Sequence, residues 1–236
     1  VRVEGIEVEH LTGGQVSGID SGLIMVVDFN APNASDVRIE KNILHDTTNA
    51  YAVAITVAAD AKITIANNFI FDIGGTGIWT WGDGLATPAY VYNNTIYKAS
   101  TLEWGGRGAV AIWGANEALL INNIFVDSFE DVYGANNAAA GSGYNVISDT
   151  SNPGTNNLLN RTPTDNPNPG VGDWVIFKDL TAGSYDLHLA DTDTDARDAG
   201  TNLSSNANFA FSDDIDSAGR VAGRPWDIGA DEAPTQ

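Results

Sequence analysis

The sequence predicts an all-β protein whose short strands wind into a single-stranded parallel β-helix. A phrase of apolar residues around two adjacent asparagines recurs along the chain, and the runs beside it alternate like β-strands. No segment shows the apolar spacing of an amphipathic helix. Because one repeat can bury its apolar side only against its neighbours, we expect the repeats to stack as coils.

The asparagine pairs mark the corners of the predicted coils. The clearest copies are residues 65–70 (IANNFI), 92–96 (YNNTI) and 121–125 (INNIF). The second asparagines of these corners, with one upstream, are Asn42, Asn68, Asn94 and Asn123. Successive members lie 26, 26 and 29 residues apart. Asparagine tolerates the left-handed backbone of a tight bend, and stacking places the amides one above another. We therefore expect a ladder of hydrogen-bonded asparagine side chains.

This arrangement of strands and asparagine corners resembles the right-handed parallel β-helix superfamily, which includes the pectate lyases. The resemblance covers residues 1 to about 150. It implies a right-handed helix of about six coils. One strand should precede each corner, one should follow it, and a third should come after a longer loop. Since the superfamily is functionally diverse, the resemblance implies a fold and not a particular activity.

The repeat pattern fades after about residue 150. Residues 151–172 are rich in Asn, Pro, Thr and Gly and favour irregular loop. The closing stretch, residues 226–232 (WDIGADE), resembles the final segment of many large secreted bacterial β-helix proteins. We therefore assign residues 1–165 to the coils and residues 166–236 to an irregular C-terminal cap of the same domain, packed on the last coil.

The composition narrows the possible partners. The formal net charge is −20, from 31 acidic and 11 basic residues. A surface of this sign excludes nucleic acid and anionic membranes as partners. No apolar run approaches the roughly 20 residues of a membrane span. The chain begins at Val1 inside a strand-like pattern, so we interpret it as the mature or excised part of a longer secreted or cell-surface protein.

Aromatic residues of the third strand of each coil are the candidate binding site. Aligning residues 52–55 with 109–112 gives a predicted row on the outer face: Thr56, Trp81, Trp113 and Tyr133. Trp79, two residues before Trp81, should lie on the same face. Exposed aromatic patches often mark binding surfaces, and a coil rise near 5 Å suits an extended glycan. Alternatively, the rings pack under flanking loops or against a neighbouring domain.

Acidic residues flank this predicted face. Asp46, Asp72 and Asp127 each follow the second asparagine of a corner by four residues and should stack. Carboxylates are ligands for Ca²⁺ and also serve as acid and base in glycoside hydrolysis. The candidate calcium ligands are Asp72, Asp127 and Asp131. The candidate catalytic residues are Arg107, Asp72, Asp127 and Glu130, with Arg107 as the base that the resemblance to lyases implies. Alternatively, these acids form a solvated surface.

Two functions are compatible with the sequence. The first is an extracellular polysaccharide-binding module, with or without lyase or glycosidase activity, that uses Trp79, Trp81, Trp113 and Tyr133. The second is a non-catalytic structural or adhesive module of a larger secreted protein. In that case the same aromatic and acidic residues would contact neighbouring domains or copies of the chain.

Overall fold

The computed structural model describes residues 1–9, 21–28, 34–59, 61–81, 88–102, 107–113, 118–170 and 172–234. Its strands, in chain order, are β1 (Arg2–Glu4), β2 (Glu7–Glu9), β3 (Ser21–Asp28), β4 (Ala34–Glu40), β5 (Ile43–Thr47), β6 (Ala52–Ala59), β7 (Ala61–Ala66), β8 (Phe69–Ile73), β9 (Ile78–Thr80), β10 (Ala89–Tyr92), β11 (Thr95–Ala99), β12 (Val110–Ile112), β13 (Ala118–Ile121), β14 (Ile124–Val126), β15 (Val132–Tyr133), β16 (Val146–Ile147), β17 (Thr162–Thr164), β18 (Trp174–Asp179) and β19 (Asp186–Leu189). A short 3-10 helix spans Ala135–Asn137.

Strands β1 to β16 form three parallel sheets. Sheet 1 has the order β1-β4-β7-β10-β13, sheet 2 the order β16-β14-β11-β8-β5-β2, and sheet 3 the order β15-β12-β9-β6-β3. The chain passes from sheet 1 to sheet 2 to sheet 3, then starts again on the next strand of sheet 1. This is a parallel β-helix, as the sequence predicts. Among the described residues, no helix is long and apolar enough to cross a membrane.

The interior of the helix is filled by stacked aliphatic columns. In sheet 1, Ile39 pairs with Ile65, which pairs with Val91. In sheet 2, Leu44 pairs with Ile70 in the same way. All five side chains are fully buried. Burying one such side chain stabilises the fold by roughly 1.5–3 kcal/mol, so the stacked columns are what hold the coils together.

The two residues of each corner have different roles. The first residue takes the left-handed conformation, with φ of 53° at Asn67, 50° at Asn93 and 58° at Asn122. The second residue turns inward and forms the ladder. The side-chain amide of Asn68, for example, donates to Oδ1 of Asn94 at 2.8 Å, and the backbone N–H of Asn68 donates to the same oxygen at 3.1 Å.

The ladder extends over six asparagines. The amide-to-Oδ1 distances from one rung to the next are between 2.8 and 3.0 Å. Its rungs are Asn42, Asn68, Asn94, Asn123, Asn145 and Asn157. Each amide in the middle of the ladder has partners for both its donor and its acceptor, so the buried polar row carries little desolvation cost.

The C-terminal cap lies along the side of the coils. Its strands β18 and β19 form a small mixed sheet with β17, which precedes the cap, and the rest of the cap is irregular. The outward amide of Asn93 donates to the carbonyls of Asp227 and Gly229, and that of Asn122 donates to the carbonyl of Thr201. The sequence predicted a cap on the last coil. The structure instead spreads the cap over several coils, because the first corner residues offer it a column of outward-facing amides.

One buried arginine fastens the cap to the coils. Arg220 donates to Oδ1 of Asn67 at 3.0 Å and forms an ion pair with Glu232 at 3.0 Å. Its remaining donors reach backbone carbonyls of the cap, including those of Gly229 and Ala230. The guanidinium is fully buried, and this desolvation lowers the pKa of Arg220 although Glu232 opposes the shift. A fully satisfied guanidinium of this kind fixes the position of the cap.

The cap also covers the outer faces of two sheets. On sheet 1 it buries Tyr90 and Tyr92 under Phe209 and Trp226. On sheet 2 it buries outward residues such as Tyr97 under a separate apolar cluster of the cap. Strand alternation therefore gives sheets 1 and 2 two apolar faces, one toward the interior of the helix and one toward the cap.

Candidate functional site

The outer face of sheet 3 carries the aromatic side chains singled out from the sequence. Strands β9, β12 and β15 present Trp79, Trp81, Trp113 and Tyr133 there, and we call this set the aromatic face. The rings of Trp79 and Trp81 are stacked, with centroids 6.1 Å apart. The rings of Trp113 and Tyr133 are tilted, with centroids 5.3 Å apart. Trp81 is 38% and Trp113 40% exposed, so part of each ring is accessible to a ligand.

The predicted row of aromatic residues is wrong in register. Thr56 pairs with Trp79, Trp79 with Ala111, and Ala111 with Tyr133. Trp81 lies two residues after Trp79, and Trp113 lies two residues after Ala111. These two tryptophans therefore stack on each other's position in a second outward row. Thr56 was misplaced because the Ala-Val-Ala-Ile alternation of β6 fits registers that differ by two. Tyr133 was misplaced because residues 133–136 (YGAN) resemble residues 113–116 (WGAN), although Tyr133 pairs with Ala111. A shift of two residues keeps every side chain on the same face, so the face itself was predicted correctly.

In the observed register, the amount of exposed apolar surface on sheet 3 differs from coil to coil. At the coil before Trp79 and Trp81, the outward residues Thr56 and Ala58 are small and buried. At the coil before that, Met25 is 42% and Val27 37% exposed. The exposed apolar surface of sheet 3 is therefore lowest at the coil of Thr56 and rises on either side of it.

The column of acidic residues contains a lysine that sequence reasoning missed. One position of sheet 2 is occupied in successive coils by Asp46, Asp72, Lys98 and Asp127. The pairing of the neighbouring residues of β5, β8, β11 and β14 places these four residues one above another. All four have φ between 49° and 56°, so the position is a left-handed bend in each coil. Lys98 follows Asn94 by four residues, which is the same spacing that the acids have to their own asparagines. This spacing is the sequence signal that places Lys98 in the column.

This column does not form the predicted calcium site. Asp72 and Asp127 are separated by the coil of Lys98, which places them about 9–10 Å apart at two strand spacings. Potential ligand atoms of Asp72, Asp127 and Asp131 do not lie together within 4.8 Å of one another in the described part of the chain. Burial raises the pKa of Asp72, and the charge of Lys98 opposes this shift. Lys98 also contacts the hydroxyl of Tyr185 at 3.3 Å, which joins the column to the cap.

Asp131, the third predicted calcium ligand, is buried in a turn before β15. Its Oδ2 accepts hydrogen bonds from the backbone and hydroxyl of Ser148 and from the backbone of Asp149. Its Oδ1 is buried with no hydrogen-bond partner among the described residues. Desolvation, with the charge of Asp149, raises the pKa of Asp131 to about 7. Asp131 therefore organises this turn and does not join Asp72 and Asp127 in one site.

The remaining candidate catalytic residues have separate surroundings. The guanidinium of Arg107 lies over the ring of Tyr51, 5.5 Å from its centroid. Glu130 is partly buried, and desolvation together with Asp149 raises its pKa. Asp127 is exposed, and its backbone N–H donates a hydrogen bond to the hydroxyl oxygen of Ser148 at 2.9 Å. Catalytic roles for these residues and for Asp72 stay predictions from the sequence.

A cleft between sheet 2 and the cap was not foreseen from the sequence. It has a volume of about 620 Å³. The coils contribute Glu7, Lys41, Phe69 and Phe71 to its walls, and the cap contributes Tyr185, Asp186, His188 and Asp216. We call it the cap cleft. The available sequence signal was the spacing of Asp186 and His188, which places both side chains on one face of a strand.

A scan against protein-family models found no family that matches the chain, and searches of curated proteins and of solved structures found no significant match. The relationship to pectate-lyase-like proteins, and the likeness of the closing segment to those of secreted β-helix proteins, therefore stay predictions from the sequence. The aromatic face and the cap cleft are the two features of the structure that point to a function.

Proposed function

We propose that the protein is an extracellular polysaccharide-binding module that holds its ligand on the aromatic face. The observation that carries the proposal is the pair of half-exposed indoles, Trp81 at 38% and Trp113 at 40%, on successive coils of a rigid β-helix. Each indole is backed by a second ring, Trp79 or Tyr133. Rings held in this way present flat apolar surface without losing much side-chain entropy on binding.

The spacing of the rings suits a polymer. Neighbouring coils are about 4.8 Å apart, which is close to the length of one sugar residue in an extended glycan. The apolar faces of successive sugar rings could therefore rest on successive coils. The wide distribution of the rings over β9, β12 and β15 favours a chain of sugars over a single small molecule.

The charge of the protein narrows the class of glycan. With a net charge of −20, the surface repels anionic polymers at low ionic strength. A neutral polysaccharide meets no such repulsion, and stacking on indole rings requires no charge. We therefore assign the aromatic face to neutral glycans. Anionic glycans would require high salt or a bridging cation.

The test compares polysaccharide binding by matched variants. Trp81→Ala combined with Trp113→Ala should abolish retardation in affinity gels that contain neutral polysaccharides. Phe129→Ala is the control, because Phe129 is 47% exposed but lies in the turn after β14, away from the aromatic face. Unchanged retardation of the double variant, or equal losses in the control, would contradict the proposal.

A second candidate function is assembly with another protein surface. Met25 and Val27 extend the exposed apolar surface of sheet 3 beyond the aromatic face, and such a surface is also suited to a protein partner. Concentration-dependent association measured by analytical ultracentrifugation, lost in Met25→Ser and in Trp113→Ala, would favour this function. A monomer at all concentrations would leave glycan binding as the better interpretation.

A further inference from the structure

The wall of the cap cleft holds a histidine surrounded by carboxylates. His188 lies on β19, and its ring packs edge-on against Phe69 of β8, with centroids 5.0 Å apart. Asp216 and Asp231 reach it from the irregular final segment of the cap. Three stretches of the cap that are distant in sequence therefore meet at this imidazole.

The two ring nitrogens of His188 have different neighbours. Nδ1 is hydrogen-bonded to the carboxylate of Asp186, two residues earlier on the same strand. Nε2 faces Oδ2 of Asp216 at 3.0 Å. A carboxylate on Nδ1 fixes the tautomer, orients the ring and makes Nε2 a better electron-pair donor. Histidines that bind metal ions commonly have this outer partner.

Asp231 provides a buried carboxylate with an oxygen within 4.8 Å of a ring nitrogen of His188. The residue is only 6% exposed. Its Oδ2 accepts a hydrogen bond from the backbone N–H of Leu189 at 3.0 Å. Asp231 therefore brings a buried carboxylate to the cluster around the imidazole.

We propose that His188, Asp216 and Asp231 bind a divalent transition-metal ion of the Zn²⁺ class, with Asp186 as the outer partner of the imidazole. One potential ligand atom from each of the three residues lies within 4.8 Å of the other two. Ligand atoms bound tetrahedrally to Zn²⁺ at about 2.0–2.1 Å are about 3.3 Å apart, so small side-chain movements complete the site. One imidazole with carboxylates selects Zn²⁺ over Ca²⁺ and Mg²⁺, which prefer oxygen ligands.

The other histidine cluster of the described residues is less suited to a metal ion. His45 stacks flat on Phe71, and its two nitrogens contact Asp46 and Glu7 at 3.0 and 3.1 Å. Both of these carboxylates are largely open to solvent, with side-chain exposures of 43% and 66%. The cluster of Glu9, His45 and Asp46 therefore contains no buried carboxylate, whereas Asp231 in the cluster of His188 is only 6% exposed.

The metal alone is a sufficient probe. Isothermal titration of the full chain with ZnCl₂ should show one site, and Zn²⁺ should raise the melting temperature where equal concentrations of Ca²⁺ and Mg²⁺ do not. Co²⁺ in place of Zn²⁺ should give visible absorption bands of a site with nitrogen and oxygen ligands. His188→Gln should abolish the site, and Asp186→Asn should weaken it about 10–100-fold.

Two further variants keep the proposal falsifiable. Asp216→Asn changes a side chain that is 63% exposed, so it should lose the site while its melting temperature without metal stays close to that of the parent. His45→Gln is the matched control and should bind Zn²⁺ as the parent does. Absence of binding, binding that survives Asp216→Asn and His188→Gln, or binding lost only in His45→Gln would each overturn the proposal. Glycan binding at the aromatic face is independent of all these outcomes.

Discussion

The covered and uncovered sides of the β-helix differ in what their aromatic residues do. Sheets 1 and 2 point Tyr90, Tyr92 and Tyr97 outward, and the cap buries all three. Sheet 3 points Trp81 and Trp113 outward, and they remain substantially exposed. The strands have the same alternation on all three sides. An outward aromatic residue therefore does not by itself indicate a binding site. It indicates one only where the cap leaves the ring exposed to solvent.

The corners explain why the cap lies where it does. The outward amides of Asn67, Asn93 and Asn122 form a polar column between sheets 1 and 2, and the backbone of the cap bonds to this column. These bonds bring the apolar residues of the cap over both neighbouring sheets. Substitutions on the covered side should therefore lower the free energy of unfolding, and substitutions on the uncovered side should lower ligand binding.

The largest effect should come from breaking the attachment of the cap. Arg220→Met leaves Glu232 buried without its charge partner and Asn67 without a donor to its Oδ1. Removing one member of a buried ion pair costs roughly 3–5 kcal/mol. Denaturant unfolding should show this loss in the free energy of unfolding. Arg224→Met, at an exposed arginine of the same cap, is the control and should change the free energy by less than about 0.5 kcal/mol. Equal effects of the two substitutions would refute this account of the cap.

A smaller loss should follow from removing one rung of the ladder. Asn94→Ala deprives the Asn68 amide and the Asn68 backbone N–H of their shared acceptor. It also removes the side-chain donor to Asn123 Oδ1, which keeps only the backbone N–H of residue 94. Each buried group left unsatisfied costs about 1–3 kcal/mol, so we expect a total of roughly 2–4 kcal/mol. The measurement is again denaturant unfolding, with exposed Asn136→Ala as the control. A loss below about 1 kcal/mol would mean that water replaces the rung.

The turn before β15 should make stability depend on pH. Asp131 has a folded pKa of about 7, above its ordinary value of 3.8, so the folded state holds the extra proton between these values. The free energy of unfolding should therefore fall as pH rises from about 4 through 7, by at most about 1.4 kcal/mol per pH unit from this group. Asp131→Asn should remove this component. A slope between pH 5 and 6.5 that is equal in both proteins would contradict the assignment.

Much of the fold was predictable because it depends on a local rule repeated along the chain. The spacing of Asn42, Asn68 and Asn94 specifies which residues stack, and the alternation beside them specifies which side chains face the interior. The register of sheet 3 was not predictable in the same way. Its loops differ in length, and the repeated small aliphatic residues of β6 fit registers two residues apart equally well.

The candidate site was predictable only in part, for a related reason. The sequence placed Trp79, Trp81, Trp113 and Tyr133 on one outer face, since a strand fixes the face of each residue. It could not bring His188 to Asp216 and Asp231, because those contacts depend on the path of an irregular segment. The lysine between Asp72 and Asp127, in contrast, follows from the sequence, because Lys98 has the same spacing to its asparagine corner as these acids.

The smallest change in stability should come from the uncovered side. Trp81→Ala removes a ring that is already 38% exposed, so the free energy of unfolding should fall by no more than about 1.5 kcal/mol. Trp226→Ala, the matched substitution on the covered side, removes a fully buried indole that packs against Phe211 and Arg220, and should cost roughly 3–5 kcal/mol. The loss of glycan binding should instead be larger for Trp81→Ala than for Trp226→Ala.

Neutral-glycan affinity should fall in Trp81→Ala at temperatures where both variants are folded, and it should be retained in Trp226→Ala. Thermal unfolding and affinity gels on the two proteins test both halves of this expectation. If Trp81→Ala proved as destabilising as Trp226→Ala, the indole would be a packing residue. The aromatic face would then be a third covered outer face of the β-helix and not a place for a ligand.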